Sequence, residues 1–297
     1  MKKILFVLLA ATTTITTSCE KAFDKESPRE VSDVVFTIEM PEISTRAFGD
    51  GTKACDLYYG VYDENNSLIS SISKVDEQSK ESINISKSVN FRLVTGNTYS
   101  IIFWAANSSG VCDVDFVERT MSFNPTKANM EAYDAFWAYV EPFKVENDMS
   151  KTVALYRPFA QLNIGTNDIE AASNAGMTVV ESKIAVKTPT TLDLMSGAVS
   201  NEVDVVYDFN AIPETETFPV DGYEYLSMNY LLVGSDKSTI DILFAYGNGE
   251  YEYDRSYTFI PVQRNYRTNI FGSILTSSID VNILIEPSFN EPDYNVD

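Results

Sequence analysis

The residue types that do most enzyme chemistry are scarce in this chain. Its 297 residues contain no histidine. That removes the commonest general base, the Ser-His-Asp and Cys-His nucleophile arrangements, and the commonest zinc ligand. The cysteines are Cys19, Cys55 and Cys112. Without histidine, Cys55 and Cys112 cannot complete an ordinary structural zinc site. In an oxidising compartment they can pair with each other, a closure worth about 4 kcal/mol in the chain-entropy account. The alternative is two buried free thiols in separate strands. Carboxylates are abundant, with 43 Asp plus Glu, but spacing singles out no pair for acid–base work. Asp63-Glu64-Asn65-Asn66-Ser67 has oxygen ligands that suit calcium. It lacks the EF-hand spacing and stands where a hairpin turn is needed. Trp104 and Trp137, among many tyrosines, suit a sugar-stacking platform; Trp104 also lies in a strongly apolar run that reads as core. No phosphate-binding glycine loop or nucleotide fingerprint occurs. A Ser-Lys nucleophile stays open, but no residue stands out for it. The chain reads as a non-enzyme with no cofactor and no metal.

Cys19 is the residue best placed for covalent modification. Lys2 and Lys3 precede an apolar run from Ile4 to Ala11, then a Thr-rich stretch ending in Ser18-Cys19. A positive start, a short apolar core and small residues before a cut site make a secretory signal. The run is too short to span a bilayer, which takes about 20 residues. A cysteine straight after a small residue at this position resembles a bacterial lipobox. Thr16-Thr17-Ser18 replaces the usual leucine and small apolar residues, a loose form similar to that of Bacteroidetes lipoproteins. The alternative is an ordinary signal peptide cut elsewhere. Residues 1–18 are therefore expected to be a signal peptide and 19–30 a lipidated, palmitate-type tether. Net charge is −21, two units more negative once Lys2 and Lys3 leave. Such a chain is repelled by nucleic acid and by anionic head groups. Its hold on an outer membrane must come from lipid on Cys19, and stable anchoring takes two or more acyl chains.

The elements that follow are strands. Hydrophobic residues make up 44% of the chain, with 17 Phe and 17 Tyr, enough to bury a core. Val34, Phe36, Ile38 and Met40 alternate with Val35, Thr37 and Glu39, the period of a half-buried strand. Residues 57–62 read as a strand running into a turn at 63–67, and 99–105 as a buried strand. Residues 240–246 meet Gly247-Asn248-Gly249 and a second strand at 251–260, a strong hairpin signal. Helical signal is thin: a short helix around Met130–Trp137 and a turn or two within Asp168–Ala175. The expected fold is all-β, two sandwiches in tandem, one over 31–151 and one over 152–297.

Further features converge. Ser44-Thr45-Arg46-Ala47-Phe48-Gly49-Asp50-Gly51 is a polar loop just past the first strand. Leu155-Tyr156-Arg157-Pro158-Phe159-Ala160 opens the second half, and Ser278 to Glu286 ends it with a strand pattern. With the lipobox-like Cys19, this organisation resembles the fimbrillins, the type V pilins of Bacteroidetes, and the fimbrillin-like lipoproteins. The resemblance implies two transthyretin-like β-sandwiches and export as a lipoprotein to the cell surface. It implies cleavage between Arg46 and Ala47 by an arginine-specific protease, which removes the first strand. The emptied groove then takes a strand from another pilin subunit. Ile279, Val281, Ile283 and Ile285 are the candidate donor face, with Asp280, Asn282 and Glu286 opposite. The alternative for this segment is the last strand of its own sandwich; for Arg46, a solvated loop residue. The function expected is a fimbrial structural subunit or assembly component active in adhesion at the cell surface. The alternative is a monomeric glycan-binding lipoprotein of the outer membrane.

Overall fold

A computed structural model describes residues 29–41, 49–107, 111–214, 217–277 and 281–287. Cys19, Arg46, Ala47 and Ile279 lie outside the described residues. The first half runs β1 (Val31–Glu39), β2 (Asp56–Tyr62), β3 (Glu81–Ser82), β4 (Ser86–Val94) and β5 (Thr98–Ala106). It continues with β6 (Cys112–Asp115), β7 (Thr120–Phe123), β8 (Ala135–Lys144) and β9 (Met149–Ala154). The second half holds β10 (Phe159–Thr166), β11 (Glu181–Asp193), β12 (Val199–Ala211) and β13 (Glu224–Leu232). It ends with β14 (Ser238–Gly247), β15 (Glu252–Val262), β16 (Tyr266–Gly272) and β17 (Val281–Pro287). The one α-helix among the described residues, α1, spans Ile169–Asn174, as its sequence suggested. Around Met130–Trp137 the helix shrinks to a 3-10 turn at Glu131–Tyr133, because Ala135 onward is taken into β8 beside β5. The all-β expectation holds.

The first sandwich packs a sheet of order β4-β1-β9 against one of order β3-β2-β5-β8. The period-two pattern explains it. Val34, Phe36 and Ile38 are fully buried, whereas Val31, Asp33 and Glu39 face solvent. They meet Leu57, Tyr59, Val61, Ile101, Phe103 and Ala105 from the facing sheet in one core. β5 is buried along nearly its whole length. Its other face, Ile102, Trp104 and Ala106, joins the core of the second sandwich. The sheet β3-β2-β5-β8 is thus a shared middle layer.

The second sandwich has a sheet of order β13-β10-β16-β17 and one of order β15-β14-β11-β7-β6, with β12 also pairing β11. β14 and β15 form the expected hairpin, with Gly249 at positive φ in its turn. The hairpin β6-β7 comes from the first half of the chain, yet β7 pairs β11 from Thr191↔Ser122 to Asp193↔Thr120. β9 crosses residue 151 and pairs β1 in the first sandwich. The two sandwiches therefore interleave in sequence.

The β6-β7 turn docks on the middle sheet at one close approach. Tyr62 Oη donates to the Phe116 carbonyl at 2.7 Å. A Cβ added to Gly60 would stand 2.7 Å from Tyr62 Oη and 2.8 Å from Phe116 Cδ1. Only glycine lets the Phe116 ring sit on the strand. Gly60→Ala is expected to lower stability by about 1–3 kcal/mol, the usual cost of overpacking, measured by denaturant unfolding.

Candidate functional site

β1 is the middle strand of its sheet, so its backbone is satisfied on both sides. It runs antiparallel to β4 from Val31↔Val94 to Glu39↔Ser86. It runs parallel to β9 from Val34↔Met149 to Glu39↔Ala154. Contacts at its ends extend the ladders: Met40 N donates to the Ile85 carbonyl at 2.9 Å, and Leu155 N to that of Glu39 at 2.9 Å. Asp33 N donates to Asp148 Oδ1 at 2.8 Å. On the inner face Phe36 is the anchor. Its ring lies 6.1, 5.8 and 5.6 Å from those of Phe91, Phe103 and Phe143, edge-on or tilted, the arrangement aromatic quadrupoles prefer. Removing β1 would leave a slot floored by these rings and edged by the unpaired backbone of β4 and β9.

Downstream of the Arg46 loop the chain is clamped at once. Arg157 is 1% exposed and forks onto Asp134, Nε to Oδ1 at 2.8 Å and Nη2 to Oδ2 at 2.9 Å. The same Nη2 donates to the Gly49 carbonyl, and the guanidinium lies 4.5 Å over the Phe136 ring. Burial pushes the Asp134 carboxyl above its ordinary range, against the pull of Arg157. A buried ion pair of this kind is strongly destabilising to break, because one charge is left uncompensated. It ties the loop end to β8 and to the entry of the second sandwich. The sequence singled out Arg157 only as part of a segment. Asp134, in the otherwise apolar Tyr133-Asp134-Ala135-Phe136, was the available signal: a buried arginine needs an acid.

β17 pairs antiparallel with β16, from Tyr266↔Pro287 to Gly272↔Val281. It is the edge of its sheet. Its apolar side chains are not core: Val281, Ile283 and Leu284 are 39%, 42% and 37% exposed. Glu286 gives it polar tethers, accepting from Asn269 Nδ2 at 2.7 Å and standing 3.7 Å from Arg267 Nη1. Upstream of β17, Thr276 is held in place. Thr276 N and Oγ1 both donate to Asp168 Oδ2 at 2.7 Å. Burial raises the Asp168 carboxyl, but hydrogen bonds from Thr166 and Thr276 outweigh it and hold it below its usual range. Of the proposed donor residues, Val281 and Ile283 lie on one exposed side of this edge strand, and Ile285 is half-buried beside them.

The cysteines do not pair. Cys55 is an exposed free thiol and Cys112 a half-buried one, so the disulfide expectation is corrected. Cys112 lies on β6, in the sheet of the other sandwich, where burial pushes its thiol up. Cys55 precedes β2, its carbonyl accepting from Ile83 N at 2.9 Å. Asp63 Oδ1 accepts from Asn65 N and Ser67 N, both at 2.9 Å, which makes that segment a capped turn. Among the described residues no group of three His, Cys, Asp or Glu is placed to hold a metal ion, and no helix is long and apolar enough to cross a membrane.

Comparison with known proteins places this fold. No curated protein matches the chain. A solved candidate adhesin from Bacteroides ovatus superposes with a TM-score of 0.50 at 11% identity, covering 86% of this chain and 93% of its own. A fimbrial assembly protein from Parabacteroides distasonis gives 0.49 at 13% identity, over 87% and 96% of the two chains. The fimbrial anchor protein Mfa2 from Porphyromonas gingivalis gives 0.45 at 10% identity, over 86% and 95%. The all-β sandwich architecture expected from the sequence is the one found. Over residues 26–297 the sequence matches a family of unknown function, DUF6562, and the chain belongs to it.

Proposed function

We propose that this chain is a non-catalytic subunit or assembly component of a surface fimbrium, matured by losing β1 and joined to its neighbours by strand exchange. One observation carries the proposal. The strand that sits centrally in its sheet, paired on both sides, is also the one that lies just upstream of Arg46. A cut after Arg46 would leave β1 held only by noncovalent contacts, while the Arg157–Asp134 clamp retains the chain from Gly49 onward. An emptied central position exposes two rows of unpaired N–H and C=O groups, which an extended partner strand satisfies by β-augmentation. β17 supports the donor half of the scheme. It is an edge strand with apolar side chains partly in water, so releasing it uncovers little core, and Thr276 upstream of it is tied to Asp168. Export and anchoring follow from the signal-like N-terminus and Cys19. The partners in this scheme are other subunits of the polymer, an arginine-specific protease and the outer membrane.

Arginine-specific digestion of the folded full chain is expected to yield a fragment whose N-terminal sequence starts at Ala47. Resistance of Arg46 while other arginines are cut would remove the basis for maturation. Cys19→Ala is expected to shift the protein from the membrane to the soluble fraction, read by detergent partitioning of cell extracts. For the donor strand the test is Ile283→Asp. In the monomer Ile283 is 42% exposed, so the change should cost at most about 1 kcal/mol. Inside a partner's apolar slot it should cost at least the roughly 2–5 kcal/mol of a buried isoleucine truncation. The expected result is a normally melting monomer that forms no polymer after protease treatment. Unfolding of the variant monomer would return β17 to its own core and place the donor elsewhere.

A further inference from the structure

A cleft of about 590 Å³ opens between the middle sheet and the β6-β7 hairpin. That volume falls in the range of roughly 300–1,000 Å³ typical of small-molecule sites, which favour seams between domains. Its floor comes from adjacent strands. Tyr58 on β2 stands directly across from Trp104 on β5, and Phe116, pinned on Gly60, closes one side. The opposite wall is the turn carrying Glu77 and Gln78, with Asn107 at the rim.

The wall is held in place before any ligand arrives. Asp76 Oδ1 accepts from Gln78 N at 3.1 Å and Ser79 N at 2.9 Å. Tyr58 Oη donates to Glu77 Oε1 at 2.6 Å. Lys80 Nζ donates to Glu77 Oε2 at 2.6 Å and to Asp56 Oδ2 at 2.8 Å. The Glu77 charge is thus matched by Lys80, and the Asp76 carboxylate serves its own turn. What remains toward the cleft is hydrogen-bonding capacity more than net charge. Among the described residues no Lys or Arg lines it, so a phosphate or a uronate finds no counter-charge there. The half-buried Tyr58 ring, backed by the buried Trp104 and Phe116, beside planar amide and carboxylate groups matches a ligand that is apolar on its ring face and rich in hydroxyls at its rim.

We propose that this cleft binds a neutral saccharide of mono- or disaccharide size. Tyr58 offers it a ring face beside Trp104, and Glu77, Gln78 and Asn107 read its hydroxyls. The site is complete in the uncut monomer, so it stands or falls independently of strand exchange.

The experiment titrates the uncut full chain with mannose, galactose, N-acetylglucosamine and their disaccharides, followed by tryptophan fluorescence and calorimetry. Glucuronic acid and choline serve as anionic and cationic probes. At least one neutral sugar should saturate at millimolar concentration or below and change the emission. Trp104→Phe should abolish that change, and Trp137→Phe should keep it. Tyr58→Ala and Asn107→Ala should each weaken binding about tenfold, the size of one lost ring contact or hydrogen bond. Asn107→Ala, at a half-buried rim position, keeps the test decisive if Tyr58→Ala fails to fold. The proposal is overturned if none of the neutral sugars binds, if choline or glucuronic acid binds in preference, or if both variants bind as the parent does.

Discussion

A strand in the middle of a sheet carries two ladders of hydrogen bonds, and β1 carries them with every second side chain in the core. Most of the first sandwich depends on it. β4 and β9 have no other partner in their sheet, and the rings of Phe91, Phe103 and Phe143 converge on Phe36. The order β4-β1-β9 also joins distant stretches of chain. β1 is parallel to β9, more than a hundred residues later, so the first sandwich closes only after both halves of its chain are made. Such long-range pairing is slow to form. A strand so central in space, yet so close to one end of the sequence, can be exchanged only if another strand takes over both ladders at once.

The two sandwiches are held by devices of opposite chemical character. One is apolar. The middle sheet is buried on both faces because the β6-β7 hairpin, borrowed from the first half, extends the sheet of the second sandwich and sets Phe116 on Gly60. The other is polar. Arg157, Asp134 and the Gly49 carbonyl meet where the chain passes from β9 to β10. A buried pair adds little net stability over well-packed apolar side chains, but losing one partner is costly. Its effect here is positional. It fixes Gly49 relative to the second sandwich, through a contact that removal of β1 does not touch.

Much of this was legible in the residues. Period-two alternation located β1, a continuous apolar run located β5, and an Asn-Gly turn between strand patterns located the β14-β15 hairpin. Helix α1 appeared where a short helix was expected. Other features depended on partners that periodicity does not name. β6 and β7 are four residues each, too short for their pattern to say which sheet they join. Met130–Trp137 has apolar spacing that suits a helix turn, but β5 offered a full ladder and took it. Two lone cysteines invite pairing, yet Cys55 sits just before β2 and Cys112 on β6, in different sheets. The Tyr58–Trp104 floor needed the β2-β5 register, and the facing wall needed the long irregular segment between β2 and β3 to fold back over it.

The edges of the sheets show how charge and function divide. An unpaired strand edge invites association, and natural sheets guard it with charged side chains. β12 presents Glu202, Asp204 and Asp208 in this role, and β15 presents Glu252, Asp254 and Arg255. With a net charge of −21, copies of the chain repel one another before any edge can meet. Apolar side chains also reach water on these edges, Val203 and Val206 on β12 and Tyr253 and Phe259 on β15, but β17 lacks the charges that flank them. Val281, Ile283 and Leu284 are all more than one-third exposed, while its one acid, Glu286, turns inward to Asn269 and Arg267. An exposed apolar edge on a strongly acidic protein is a liability unless a partner covers it. An apolar slot, such as the one β1 fills, would reward side chains of this kind where a charged surface would not.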